Sequence, residues 1–181
     1  MKKSFFVFFA IVSLWGCQEG DPTIIQASEK PYFDLRGLIE NEQTRLQTQN
    51  PSVEKIVIHN GKQEKQTLQI KNWSQELQLF LEADINKPVL RDSYETQQTD
   101  NKTTYSAKED DLMVQKMEIT KTAESTDIFI LYRMESRVFE VFQELRLGLD
   151  TQNQINSYRI EEKQNLILQG QEQYVIEGKV L

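Results

Sequence analysis

Apolar positions recur along this chain with two different periods, and the change from one to the other divides it into a helical part and a sheet part. From Tyr32 to about Leu46, Leu35, Leu38, Ile39 and Leu46 share one side of a helix, interrupted by Gly37, with Asp34 placed to cap it. A second helix starts at Trp73. There Trp73, Leu77, Phe80 and Leu81 follow the i, i+4, i+7, i+8 pattern, with Asn72 as cap, Gln75 at the capping-box position and Pro88 as the stop. Trp73 heads an apolar stripe and is read as a core anchor rather than a ligand platform. Between the helices, Val53 to His59 and Lys62 to Ile70 flank Asn60-Gly61, the favoured two-residue hairpin turn, which sets His59 opposite Lys62.

From Ser93 onward the period shortens to two. Tyr94–Thr99 and Lys102–Lys108 flank Asp100-Asn101 as a second hairpin, followed by strands at Met113–Thr122, Ile128–Glu135, Val138–Leu147, Ile155–Lys163 and Tyr174–Leu181. Most alternate, as Phe139, Val141, Leu145 and Leu147 do, and so have one wet face. Ile128 to Tyr132 is apolar on both sides, which predicts a central strand covered twice. The expected fold class is α+β: an antiparallel β-meander sheet, curved as far as a half-barrel, packed by one or two helices. Whether side chains fill the curved sheet or leave a groove stays open.

The beginning of the chain has another character. Lys2 and Lys3 precede the apolar run Phe5–Val12, and Leu14, Trp15 and Gly16 lead to Cys17, the three-part layout of a secretory signal peptide. The apolar stretch is well short of the roughly 20 residues that a membrane-spanning helix needs. Leu14-Trp15-Gly16-Cys17 resembles the lipobox of bacterial lipoproteins, although Trp15 is bulkier than the residue usual at its place. That resemblance implies cleavage before Cys17, a diacylglyceryl group on its sulfur and acylation of the new amino terminus. Two or three acyl chains, at about 0.8 kcal/mol per buried methylene, hold a protein at a membrane essentially permanently. The expected organisation is a signal peptide over residues 1–16, lipidated Cys17 with a polar tether over 17–30, and one domain over 31–181. The tether, at about 3.3 Å per residue, spans up to roughly 40 Å. Gln18 after the lipidated cysteine resembles the pattern of lipoproteins released to the outer membrane. Glu19 and Asp21 suit either a surface-export signal or a plain solvated linker.

Charge and residue usage narrow the chemistry. Cys17 is the only cysteine, so the mature chain forms no internal disulfide. The formal charge of −7 includes Lys2 and Lys3, whose removal leaves −9, a charge that nucleic acid and anionic lipid repel. A triad enzyme would have to use His59, the only histidine, expected at a solvent-facing strand end; neither a phosphate-cradling glycine loop nor a close-spaced His/Cys metal cluster is present. Glu109-Asp110-Asp111 reads as a solvated turn before a calcium site, and Glu161-Glu162 as strand charge shown to solvent. No catalytic residue, metal or cofactor is assigned, and the ligand-binding residues are unknown.

Asn72-Trp73-Ser74-Gln75-Glu76-Leu77 and Ala83-Asp84-Ile85-Asn86-Lys87-Pro88 resemble a segment of small uncharacterised lipoproteins of gram-negative bacteria, a resemblance that implies localisation and no activity. The resulting expectation is a non-enzymatic binding or scaffolding module, lipid-anchored at the outer membrane on its periplasmic or surface side. It would engage an unknown envelope protein or glycan through an exposed sheet face or edge. One alternative is a carrier or chaperone for lipid-like or unfolded clients, with an apolar groove lined by Met113, Met117, Phe129 and Leu131. Another is a polysaccharide hydrolase using two carboxylates about 5 to 10 Å apart.

Overall fold

Asp34 opens the first helix, α1 (Leu35–Gln49), by accepting a hydrogen bond from the Gly37 amide at 2.8 Å. A Cβ at Gly37 would run into that carboxylate, so the glycine that interrupts the apolar pattern is what lets the cap close. Asn50, in the left-handed conformation, ends the helix by donating its amide to the Leu46 carbonyl at 2.9 Å. The structure, a computed structural model, describes residues 30–166 and 170–181. The predicted hairpin follows as β1 (Ser52–His59) and β2 (Lys62–Gln69), with His59 opposite Lys62 and both turn residues, Asn60 and Gly61, at positive φ.

The Trp73 segment forms two short helices, α2 (Trp73–Glu76) and α3 (Gln78–Glu82), where the periodicity predicts one. Asn72 caps the first as expected, accepting from the Gln75 amide at 3.1 Å. Leu77 leaves helical geometry between them, and Trp73, Leu77 and Phe80 are all completely buried. The second helix stops at Glu82, well before Pro88. The carboxylate of buried Asp84 accepts from the Asn86 amide at 3.2 Å and from Arg36 Nε at 3.2 Å, which directs the chain into an extended stretch. Pro88 instead starts a single 3-10 turn, Pro88–Leu90.

Seven strands follow as a meander: β3 (Tyr94–Gln98), β4 (Lys102–Ala107), β5 (Val114–Lys121), β6 (Thr126–Glu135), β7 (Phe139–Leu149), β8 (Ile155–Leu166) and β9 (Gly170–Val180). The N-terminal hairpin docks beside the last strand, giving one nine-stranded antiparallel sheet in the order β2-β1-β9-β8-β7-β6-β5-β4-β3. The sheet does not close into a barrel; β2 and β3 are its edges. Register shifts at Val114/Lys116 and Gly148/Leu149 bend it locally.

Since β2 and β3 are opposite edges, the chain between them must cross the whole sheet, about 38 Å at 4.8 Å per strand gap. It does so through α2, α3 and the stretch that follows them to β3, and the two helices with α1 cover one face. Met117, Ile119, Ile128, Ile130, Leu145, Leu147 and Ile160 meet them there in the core. Two polar clamps fix the helices to the strands. Buried Glu42 on α1 holds Arg45 through two bonds of 2.9 and 2.7 Å and accepts the Ile155 amide at 2.7 Å. Glu76 on α2 holds Lys55 of β1 at 2.6 Å and accepts the Tyr158 hydroxyl of β8 at 2.5 Å. Tyr158 lies over Gly178 of β9, where a Cβ would run into its ring.

The double covering expected of Ile128–Tyr132 is not found among the described residues. Ile128, Ile130 and Tyr132 are buried under the helices, but Phe129 and Leu131 point to the other face and are half-buried among charged side chains. Long polar side chains of neighbouring strands take the place of a second layer.

Candidate functional site

On the face that carries no helix among the described residues, register aligns the outward side chains of six adjacent strands into two rows. One reads Glu118, Phe129, Arg146, Arg159, Glu177, Ile56; the other reads Thr120, Asp127, Gly148, Ser157, Lys179, Glu54. Together they line an open trough of about 880 Å³. Twist gives a large sheet a saddle shape, so a face without helices is hollow along one diagonal. Gly148 keeps the floor low: a Cβ there would run into the Ser157 hydroxyl, which bends over it and donates to Asn156 Oδ1 at 2.9 Å.

The lining combines charge with one aromatic surface. The Arg146 guanidinium lies 4.6 Å from the Phe129 ring centroid and reaches Glu144 at 3.3 Å. Arg159 bonds Glu177 on β9 and, at 3.0 Å, Glu161 on its own strand. Glu118 receives Lys102 at 2.8 Å and Lys116 at 2.6 Å. Burial pushes the Glu118 carboxyl up, but the hydrogen bonds from the two lysines outweigh this and hold it below the ordinary carboxylate value. At Glu161 the Arg159 hydrogen bond lowers the carboxyl, burial opposes it, and Lys163 adds to the lowering. Both acids are therefore fixed anions near neutral pH, which suits recognition of charge and not proton donation. Among the described residues, Lys179 makes no ion pair and Asp127 is held only by the Ser125 hydroxyl at 3.3 Å, leaving one cation and one anion turned to the open trough.

The residues singled out from the sequence are scattered. His59 is exposed at the end of β1, opposite Lys62, and stacks on Tyr174 at 4.2 Å. Of the four residues proposed to line an apolar groove, Met117 is in the core under the helices, Phe129 and Leu131 face the other way, and Met113 is exposed at the strand ends. Only Phe129 reaches the trough. Glu109, Asp110 and Asp111 are exposed in the β4–β5 turn. Glu161 and Glu162 do not share a face: Glu161 joins the outward charges, whereas Glu162 accepts from buried Gln143 at 2.7 Å on the opposite side. Cys17 lies outside the described residues. Among the described residues no group of three or more His, Cys, Asp and Glu side chains is placed to hold a metal ion.

None of the trough's charged residues is marked by a sequence motif. The available signal was Phe129 and Ile56, apolar residues at outward positions of strands whose neighbours alternate. Only the pairing register turns such isolated positions into a row. Comparison with protein-family models, curated proteins and solved structures returned no match for the chain.

Proposed function

We propose that this protein is a lipid-anchored binding module of the bacterial cell envelope, non-enzymatic, which engages a protein or glycan partner in the trough on its helix-free face. The observation that carries this reading is the Phe129–Arg146 platform set between acids and bases in an uncovered hollow. An aromatic ring under a guanidinium offers apolar contact, stacking and hydrogen bonding together, the combination enriched where proteins recognise partners. Glu118 and Arg159, both tied to neighbouring strands, are preorganised, so less side-chain entropy is lost on binding. The lipobox-like Leu14–Cys17 segment supports the anchor, and the mature charge of −9 argues against a nucleic-acid partner.

Two measurements test the two halves separately. Intact mass of protein purified from membranes should match a chain beginning at Cys17 plus acyl chains, and Cys17→Ala should lose them; an unmodified, uncleaved chain would sink the anchor. A photo-crosslinking amino acid at Asn156, in the trough, should give a discrete adduct in cells, and the same probe at Gln66, on the exposed edge strand β2, should not. Adducts from position 66 alone would move the binding surface to the sheet edge.

A further inference from the structure

Large apolar side chains left in water are concentrated at one place on this molecule. Met113, Met134, Val138 and Phe142 are four of the six exposed large hydrophobics among the described residues, with Val138 63% exposed. They surround the β6–β7 turn from both faces of the sheet, Met113 and Met134 on the side of the helices, Phe142 on the open side and Val138 in the turn between them. Met134 pairs with Val141, Phe142 pairs with Arg133, and the Arg133 amide donates to the Met113 carbonyl at 2.7 Å. Two contacts hold the rim in shape: the Tyr132 hydroxyl donates to Met113 Sδ at 3.0 Å, and the Arg133 guanidinium lies 5.3 Å from the Phe142 ring centroid. Arg137, exposed at the tip of the turn, makes no ion pair among the described residues.

The described chain begins at this same end of the sheet. In an antiparallel meander the starts of β3, β5 and β7 and the ends of β4 and β6 lie together. The Tyr32 hydroxyl donates to the Arg91 carbonyl at 2.6 Å and accepts the Tyr94 amide at 3.3 Å, at the start of β3. We infer that the β6–β7 rim is a membrane-contacting surface, in which Val138 and its apolar neighbours insert into a zwitterionic phospholipid bilayer while Arg137 meets the phosphates. This rests on the lipid-anchored reading above, because residues 18–29 are all that separate Cys17 from Lys30 at this end. A tether so short, at most roughly 40 Å, makes insertion an intramolecular event at an effective concentration on the order of millimolar, so a small apolar tip suffices. Glu109, Asp110, Asp111 and Glu135 border the rim, which favours a zwitterionic over an anionic surface. The trough faces water in this arrangement, since Phe129 lies four residues, about 13 Å, along β6 from Arg133.

The test uses the full processed protein, isolated from membranes and reconstituted into phosphatidylcholine–phosphatidylethanolamine vesicles with brominated acyl chains. Tryptophan is placed at the rim (Val138→Trp) or at the opposite end of the sheet (Thr151→Trp), and the emission of buried Trp73 is subtracted from the wild type. Val138→Trp should be quenched about twofold with a blue shift, and Thr151→Trp should not be quenched. Equal quenching at the two sites overturns the inference. A blue shift at position 138 without quenching also overturns it, and assigns the rim to a second copy of the chain. Protein absent from the vesicle fraction defeats the anchor instead, a failure visible before any fluorescence is read.

Discussion

The two faces of the same sheet are built on opposite principles. Beneath the helices, apolar side chains interlock and the few polar groups are clamps: Glu42 with Arg45 and the Ile155 amide, Glu76 with Lys55 and Tyr158. On the open face the charges pair with one another along and across strands, and the apolar side chains Phe129 and Leu131 are half-covered by them. The covered face should carry stability and the open face recognition, because burial is worth kilocalories per side chain whereas exposed ion pairs contribute little. The lesson is that a strand apolar on both sides does not require two packed layers. A lattice of long charged side chains can shield the second face and leave it available to a ligand.

Opening the covered face should have the largest effect on stability. Trp73→Ala should cost about 3–5 kcal/mol of unfolding free energy, read by urea denaturation, because it empties a completely buried site against the Tyr158 ring. A cost below about 1 kcal/mol would mean that the helices are not firmly packed on the sheet.

Next in size is the clamp on α1. Glu42→Ala should cost about 3 kcal/mol, since it strands the Arg45 guanidinium and the buried Ile155 amide together. Hydrogen exchange should show the loss concentrated at the start of β8. Uniform loss over the whole sheet would show that α1 and β8 unfold only with everything else.

The faces should also separate by pH. Burial, then Tyr32, pushes Tyr94 up to about 12, and burial, then Glu76, raises Tyr158 still further; both lie on the covered face. A raised folded pKa means that their stabilisation is complete below the ordinary tyrosine value and is lost as pH rises above about 10. Glu118 and Glu161 on the open face are lowered, so their contribution is complete above the ordinary carboxylate value of 4.5 and is lost as pH falls below it. Denaturation midpoints measured against pH should therefore fall at both extremes. Tyr158→Phe should flatten the alkaline limb while costing about 1–2 kcal/mol at neutral pH, and Glu118→Gln should flatten only the acid limb. A Glu118→Gln variant that altered the alkaline limb instead would contradict the assignment of charges to faces.

The smallest effect on stability belongs to the trough. Arg146→Ala should change unfolding free energy by less than about 1 kcal/mol, while weakening the adduct formed from position 156. If stability fell several-fold more than that with the adduct unchanged, the Phe129–Arg146 pair would be part of the scaffold and not of a binding surface.

Much of the scaffold was legible beforehand. Asp34 and Asn72 cap the helices they were expected to cap, Asn60-Gly61 turns the first hairpin, and the strand series reappears with boundaries moved by a few residues. The stop at Glu82 was not legible, because the Asp84 carboxylate accepts from Arg36 Nε, far away in sequence, and from the Asn86 amide, and this overrides a continuous apolar period. The candidate site was the least legible part. Its two rows take two residues from each of β1, β5, β6, β7, β8 and β9, and these are the same residue types as on any solvated strand.

The α+β class, the caps and turns, and the alternation that gives each strand a core side are written in the sequence. These rest on local backbone preferences and on hydrophobic periods, which a single segment expresses alone. The tertiary structure sets which strands are edges, takes the chain across one face through α2, α3 and the stretch after them, and leaves the opposite face open among the described residues. It also decided which outward charges meet. Strand order and register are set by contacts between segments far apart in the chain, and so the trough exists only once β1 has docked against β9.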